Sequence, residues 1–326
     1  MDDRSNSAYT VASPHTDWPA DIPSLSIQAG ERGPPTMPTQ PELPQAYRQL
    51  SDPEIAARIA ARKVEIGKKM LILGHHYQGD DIIIHADLTG DSLKLAQLAA
   101  KQADAQYILF CGVHFMAESA DILTSDHVTV ILPELSAGCP MADMASADQL
   151  DQLWPSLTAQ AEATIIPVTY VNSTAEVKAF CGRHGGACCT SGNAPAVLKW
   201  ALAAGDKVLF LPDQHLGRNT AYALGIPLEA MALLDPDQPA GGLSRRRLRD
   251  AAILLWPGYC HVHQIFTVAQ CHAVRQRLPG VRIVVHPEAP WDVVQAADLA
   301  GSTEYIIKVV EESHAEIGRA SWRERV

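Results

Sequence analysis

Two cysteines stand where chemistry could be done. Cys139 lies in LPELSAGCPMADM at 132–144, and Cys260 lies in ILLWPGYCHVH at 253–263. In each, an apolar run reads as a strand, a turn containing proline and glycine follows, and then comes the thiol. The first run, 128–132, is expected to be a buried strand. Thiols at equivalent points of a repeated pattern point to one metal centre fed by separate parts of the chain. A third repeat should supply a third. Three thiolates at one centre leave a fourth metal position open, which suits a [4Fe–4S] cluster with one substrate-binding iron.

Three turns share a second kind of chemistry. They are TGDS at 89–92, TSGN at 190–193 and AGST at 300–303, and each opens a helical pattern. Each offers a hydroxyl and free backbone N–H groups at a helix N-terminus, which is a ready anion site. Ser92, Ser191 and Ser302 are equivalent positions, spaced by 99 and 111 residues. Three such turns around one centre suit a substrate with several carboxylates or a phosphate. Between 16 and 21 residues before each serine come His75, Tyr170 and His286, accompanied by Tyr77, Asn172 and Glu288. These side chains donate, accept and shuttle protons, and His263, three residues after Cys260, joins them by position.

The elements that must position these groups form a βα alternation. Order is expected from Tyr47, with a helix opened by Asp52 as N-cap and Pro53 at its first position. Strands are expected at 70–73, 107–110, 128–132, 164–168, 208–211, 281–285 and before Cys260, with helices between them. The result is an internal repeat: an α/β fold of three αβα layers with short parallel sheets around a central site. Ligands of such sheets bind beyond the carboxyl ends of the strands, where every polar cluster named above falls. The expected organisation is a Pro-rich tail over 1–45 holding eight prolines, then repeats over 46–145, 146–264 and 265–315. The tail lacks the apolar residues of a packed core and is expected to be disordered. Residues 226–250 read as a surface insertion in the second repeat, and the third repeat is incomplete.

A net charge of −11 and 19% charged residues fit a globular protein and argue against a polyanion partner. The basic run Arg245, Arg246, Arg247 and Arg249 reads as a solvated helix start. No apolar run approaches the roughly 18 residues of a membrane span, and no export signal is visible, so seven cysteines are expected as thiols in the cytoplasm. No glycine-rich nucleotide loop is present. Cys181, Cys188 and Cys189 with His184 form a second group, without a clean CxxC pair; Cys111 reads as core, and Cys271 as a helix residue without a partner pattern.

Taken in order and spacing, the motifs resemble the quinolinate synthase family. The matching stretches include HHYQ at 75–78, GDSLKLA at 90–96, CGVHFMAESADIL at 111–123, VTYVNSTAEVKA at 168–179, LPDQHLGRN at 211–219, WPGYCHVH at 256–263 and HPEAP at 286–290. The resemblance implies three similar αβα domains around a central site. It implies condensation of iminoaspartate with dihydroxyacetone phosphate to quinolinate, the pyridine precursor of NAD, on a [4Fe–4S] cluster with three Cys ligands. Supply of iminoaspartate links the family to L-aspartate oxidase or aspartate dehydrogenase. It assigns Cys139 and Cys260 as two ligands, and His75, Ser92, Tyr170, Asn172, Ser191, His286, Glu288 and Thr303 as substrate-holding, with Ser302 and Tyr77 beside them. Tyr77, His263, His286 and Glu288 are the expected proton-transfer groups. The family's third cysteine lies further on, in a Cys-x-x-Met context, and nothing matches after Ser313. EIGRASWRERV at 316–326 resembles a translated adapter. The expectation is a truncated, inactive fragment ending in artefact. The rival expectation is a non-catalytic iron–sulfur or zinc-binding redox module using Cys181, Cys188 and Cys189.

Overall fold

The computed structural model describes residues 42–102 and 104–313. The Pro-rich tail up to residue 41 and the terminal residues 316–326 lie outside the described residues.

Three parallel sheets follow one another along the chain. The first has the order β2-β1-β3-β4, from β1 (Met70–His75), β2 (Leu88–Gly90), β3 (Tyr107–Cys111) and β4 (Thr129–Ile131). The second has the order β6-β5-β7-β9-β8, from β5 (Ile165–Tyr170), β6 (Ala187–Cys189), β7 (Lys207–Leu211), β8 (Met231–Leu233) and β9 (Ile253–Leu255). The third pairs β10 (Val284–Val285) with β11 (Leu299–Ala300). Every pairing is parallel, so successive strands are joined by crossovers that carry helices.

Burial explains why central strands read as unbroken apolar runs. All of β5, β7 and β9 is buried, since helices cover both faces of the sheet. One core runs from Leu73, Ile108 and Phe110 of the first sheet to Val168, Phe210 and Leu255 of the second. Another packs Leu150, Leu153 and Leu157 of the helix Ala147–Ala161 against Leu209, Leu254 and Trp256. A smaller core around Cys271, Ala289 and Val293 serves the third sheet. Burying one such large side chain is worth roughly 1.5–3 kcal/mol.

Four expectations need correction. The strand at 128–132 is buried on one face only: β4 is a short edge strand with Thr129 and Ile131 exposed, while Val128 is buried and Val130 and Leu132 pack against the core. The first long helix, Asp52–Ile66, is capped by Ser51 rather than Asp52. The Ser51 amide and hydroxyl both donate to the Glu54 carboxylate, at 2.9 and 2.7 Å, a capping box that leaves Asp52 in the first turn. Polar turns before Ser92, Ser191 and Ser302 are entered by β2, β6 and β11, strands of two or three residues too short to show a period. Residues 226–250 are not a surface insertion: β8 completes the second sheet, and Leu234, Ala240 and Leu248 are buried. Their basic run forms the helix Arg245–Asp250, in which Arg247 donates to the carbonyls of Glu229 and Met231 and straps β8 in place.

Candidate active site

Strand ends of all three sheets and the starts of three helices bring the site together. β1 ends in His75, buried, whose ring lies 4.0 Å from that of Tyr77. Burial and then His76 push the His75 pKa down to about 3, so it is neutral. Tyr77 interacts with Cys139, and burial raises its pKa above the ordinary phenol value. Cys139 is half-buried; burial pushes its thiol up to about 11 despite the amides of Ala142 and Met141, and it interacts in turn with Cys260.

The loop after β9 carries Cys260 and is fixed by close backbone approach. Trp256 is fully buried, and its indole N–H donates to the Met144 carbonyl at 2.6 Å. A Cβ on Gly258 would stand 2.5 Å from the Pro212 carbonyl oxygen and 3.1 Å from Met144 Cβ, so only glycine fits. That contact ties the Cys260 loop to the stretch just after Cys139. Cys260, His263 and Glu288 all reach within 4.8 Å of one another.

Glu288, the next strand end, is at the centre of the site. Its Oε2 lies 2.8 Å from His263 Nδ1, an ion-pair contact without hydrogen-bond alignment, and its Oε1 lies 3.9 Å from His286 Nδ1. Tyr170 is buried beside Glu288 and Ser191; burial, then the Glu288 charge, raise its phenol well above the ordinary value. Burial would raise the Glu288 pKa, but His286, His263 and the Tyr170 hydroxyl outweigh it and hold the carboxylate well below its usual range. Burial would lower His263; its contacts with Cys260 and Glu288 hold it up to about 10. His286 is pushed down to about 4 by burial and is uncharged at neutral pH. His263 is therefore the cation that keeps Glu288 ionised. The His263 and His286 rings stack at 5.0 Å.

Serine equivalence in sequence becomes three different local roles. Ser302 caps its helix, accepting from the Tyr305 amide. Asp91 rather than Ser92 caps the helix Ser92–Ala100, and Asn193 rather than Ser191 precedes Ala194–Ala204. The Asp91 carboxylate accepts from Lys94 N and takes the capping role. The Ser191 hydroxyl is thereby free to meet Tyr170. The three turns still gather: a Cβ on Gly192 would lie 3.6 Å from Ser302 Oγ, and Lys94 pairs with Glu304 at 3.6 Å across two of the helix starts. Asn172 is half-buried two residues beyond Tyr170, and Thr303 is half-buried at the third helix start.

The other cysteines have different surroundings. Cys181, Cys188 and Cys189 interact with one another, and burial raises all three thiols. His184, expected as their partner, packs its ring instead, tilted, against Trp154 and Phe180 at 4.6 and 4.5 Å. Among the described residues, the potential metal-holding group is Cys260, His263 and Glu288, not this one.

Two further side chains beside Glu288 were given no role from the sequence. Asp213, at the end of β7, is fully buried; its Oδ1 accepts from the amides of His215 and Leu216, while Oδ2 has no hydrogen-bond partner. Burial, then the Glu288 charge, push its carboxyl well above the usual carboxylate range, which favours its protonated form. Asn219, on the same helix, touches the Glu288 loop. The strand-end rule already pointed at Asp213; no sequence pattern singled out Asn219.

Fold and site together define an α/β enzyme with a buried acid–base cluster beside two thiols. The family model for quinolinate synthetase A protein matches residues 57–317. Quinolinate synthase of Streptomyces coelicolor is 52% identical over 295 residues, covering 90% of this chain and 75% of that protein. Quinolinate synthase of Geobacillus kaustophilus is 54% identical over 273 residues, covering 82% and 73%. That of Corynebacterium glutamicum is 50% identical over 279 residues, covering 85% and 71%. The chain belongs to the quinolinate synthase family, enzymes of NAD biosynthesis.

Proposed function

We propose that this chain condenses iminoaspartate with dihydroxyacetone phosphate at the Glu288 cluster, giving quinolinate in the cytoplasm. The observation that carries the reading is the buried Glu288 carboxylate 2.8 Å from His263 and grouped with Cys260, beside Cys139. Ring formation must strip protons from carbon and nitrogen and place protons on departing oxygens, since the product retains neither phosphate nor the carbonyl and hydroxyl oxygens of the triose. Glu288 is the base in this scheme, and His263, charged at neutral pH, is the acid that protonates a leaving oxygen. His286 and Tyr77 are the further proton-carrying groups, and neutral His75 and Asn172 hydrogen-bond the substrate. Ser92, Ser191, Ser302 and Thr303 hold its carboxylates and phosphate at the helix starts. Iminoaspartate would come from an aspartate-oxidising enzyme, L-aspartate oxidase or aspartate dehydrogenase.

Cys139 and Cys260 fit part of a thiolate set: they are half-buried neighbours on fixed loops. They would be two of the three Cys ligands of a [4Fe–4S] cluster, which when bound would supply Lewis acidity toward a substrate oxygen.

The test is a thermal shift with quinolinate as the probe. A ligand at about 100 times its Kd adds about 2.7 kcal/mol, a rise of several degrees in a domain of this size. Quinolinate should raise the melting temperature, picolinate, with one carboxylate fewer, should do so less, and Ser191→Ala or Tyr170→Phe should remove most of the rise. No shift with millimolar quinolinate would overturn the reading.

A further inference from the structure

We infer that Asn219 is a positioning residue for Glu288, clamping the backbone on both sides of the carboxylate. Asn219 lies within the helix Gln214–Ala223, is buried, and sends both hydrogens of its amide nitrogen into the neighbouring loop. One goes to the carbonyl of Pro287 at 2.8 Å, the other to the carbonyl of Ala289 at 2.9 Å. These two residues flank Glu288. Fixing the carbonyl on each side fixes the backbone dihedrals from which its side chain departs. The orientation of the amide is settled by its surroundings: turned over, its oxygen would face two carbonyl oxygens.

The same amide leaves its own oxygen buried without a hydrogen-bond partner. A stranded acceptor is costly, and a leucine of similar volume would avoid it at a site serving packing alone. The donors account for the asparagine. The loop has its own fastenings, the Glu288 amide to His286 Nδ1 at 3.3 Å and the Ala289 amide to the His286 carbonyl at 3.0 Å, but these tie the loop to itself. Asn219 ties it to the second sheet's layer, from which Tyr170 and His263 also approach. Glu288 is thereby held at the distance from His263 that makes the pair. The inference rests on the proposed reaction only for what Glu288 does there.

The experiment compares Asn219→Leu, Asn219→Asp and Asn219→Gln in the full chain. Two quantities are read: amide hydrogen exchange at Glu288 and Ala289, and affinity for quinolinate. The leucine and aspartate variants lose both donors and should exchange these two amides at least tenfold faster, while amides of β7 and β9 keep their wild-type rates. Quinolinate affinity should fall about tenfold in both. The glutamine variant keeps the donors and should recover part of the protection and part of the affinity. Wild-type exchange in the loop of either donor-free variant would overturn the inference, as would a folded glutamine variant that recovers neither quantity. Should Asn219→Leu not fold, the near-isosteric Asn219→Asp carries the test. Should wild type itself not bind quinolinate, the proposed reaction falls, and the exchange rates still decide on Asn219.

Discussion

Removing the charge of Glu288 should cost stability in a way that depends on pH, because the partner it leaves behind is buried. His263 and Glu288 approach within 2.8 Å, with side chains 19% and 5% exposed. His263 is held charged up to about 10, against about 6.5 for a free histidine. At about 1.4 kcal/mol per pH unit, that displacement corresponds to roughly 4–5 kcal/mol of favourable interaction, shared between Glu288 and Cys260. A coupling of about 2–4 kcal/mol is expected for the Glu288 pair alone, within the range of close buried charge pairs. The folded pKa of His263 is raised, so its contribution is complete below about 6.5 and is lost as pH rises through about 10. The folded pKa of Glu288 is depressed, so its contribution is complete above about 4.3 and is lost as pH falls further. Coupling should therefore peak between about pH 4.5 and 6.5 and disappear toward pH 10. A double-mutant cycle of Glu288→Gln, His263→Gln and the combined variant measures it, by urea unfolding of the metal-free, reduced chain. A coupling under about 0.5 kcal/mol at pH 6, or one that persists unchanged at pH 10, would refute the reasoning.

Three further outcomes follow from the geometry. Asp213→Asn should match wild type near pH 4 and increasingly exceed it in urea midpoint as pH rises above that, because a carboxyl whose folded pKa is raised costs the fold stability progressively above the unfolded value of about 3.9; a midpoint difference independent of pH would count against a buried proton on Asp213. Gly258→Ala should lower the melting temperature by more than about 5 °C, since its Cβ meets backbone at 2.5 Å, whereas Gly182→Ala, with open space around it, should leave it unchanged or slightly higher. Cys139→Ala should abolish iron uptake in anaerobic reconstitution and Cys188→Ala should not, read by metal content and visible absorption; the reverse result would favour the cluster of Cys181, Cys188 and Cys189.

Much of this was legible because a parallel sheet puts its chemistry in one place. Long buried strands such as β5 and β7 announce themselves as apolar runs, and the polar residue that ends each run is by topology at the ligand-facing edge. His75, Tyr170 and His286 could thus be placed at that edge from the sequence. Strands of two or three residues, β2, β6 and β11, carry no readable period, and they read as turns. β8 was misread because a basic run follows it, and only the fold shows Arg247 strapping it to the sheet. Capping was decided locally by competition: Asp91 and Asn193 took positions that the serine pattern had suggested for Ser92 and Ser191. Asn219 is invisible in sequence because its partners are backbone carbonyls 68 and 70 residues away.

The order of strands in the second sheet sets a timetable for biosynthesis. β8 is made before β9 but has a sheet neighbour only in β9, which inserts between β7 and β8. Until residue 255 has left the ribosome, β8 has nothing to pair with. The interval from Cys139 to Cys260 spans 121 residues, roughly 6 to 24 s of translation at 5–20 residues per second. For that time the first thiol waits for the second, and the Glu288 loop that buries beside them comes later still. A nascent chain therefore carries β8 unpaired within the same interval in which Cys139 waits for Cys260.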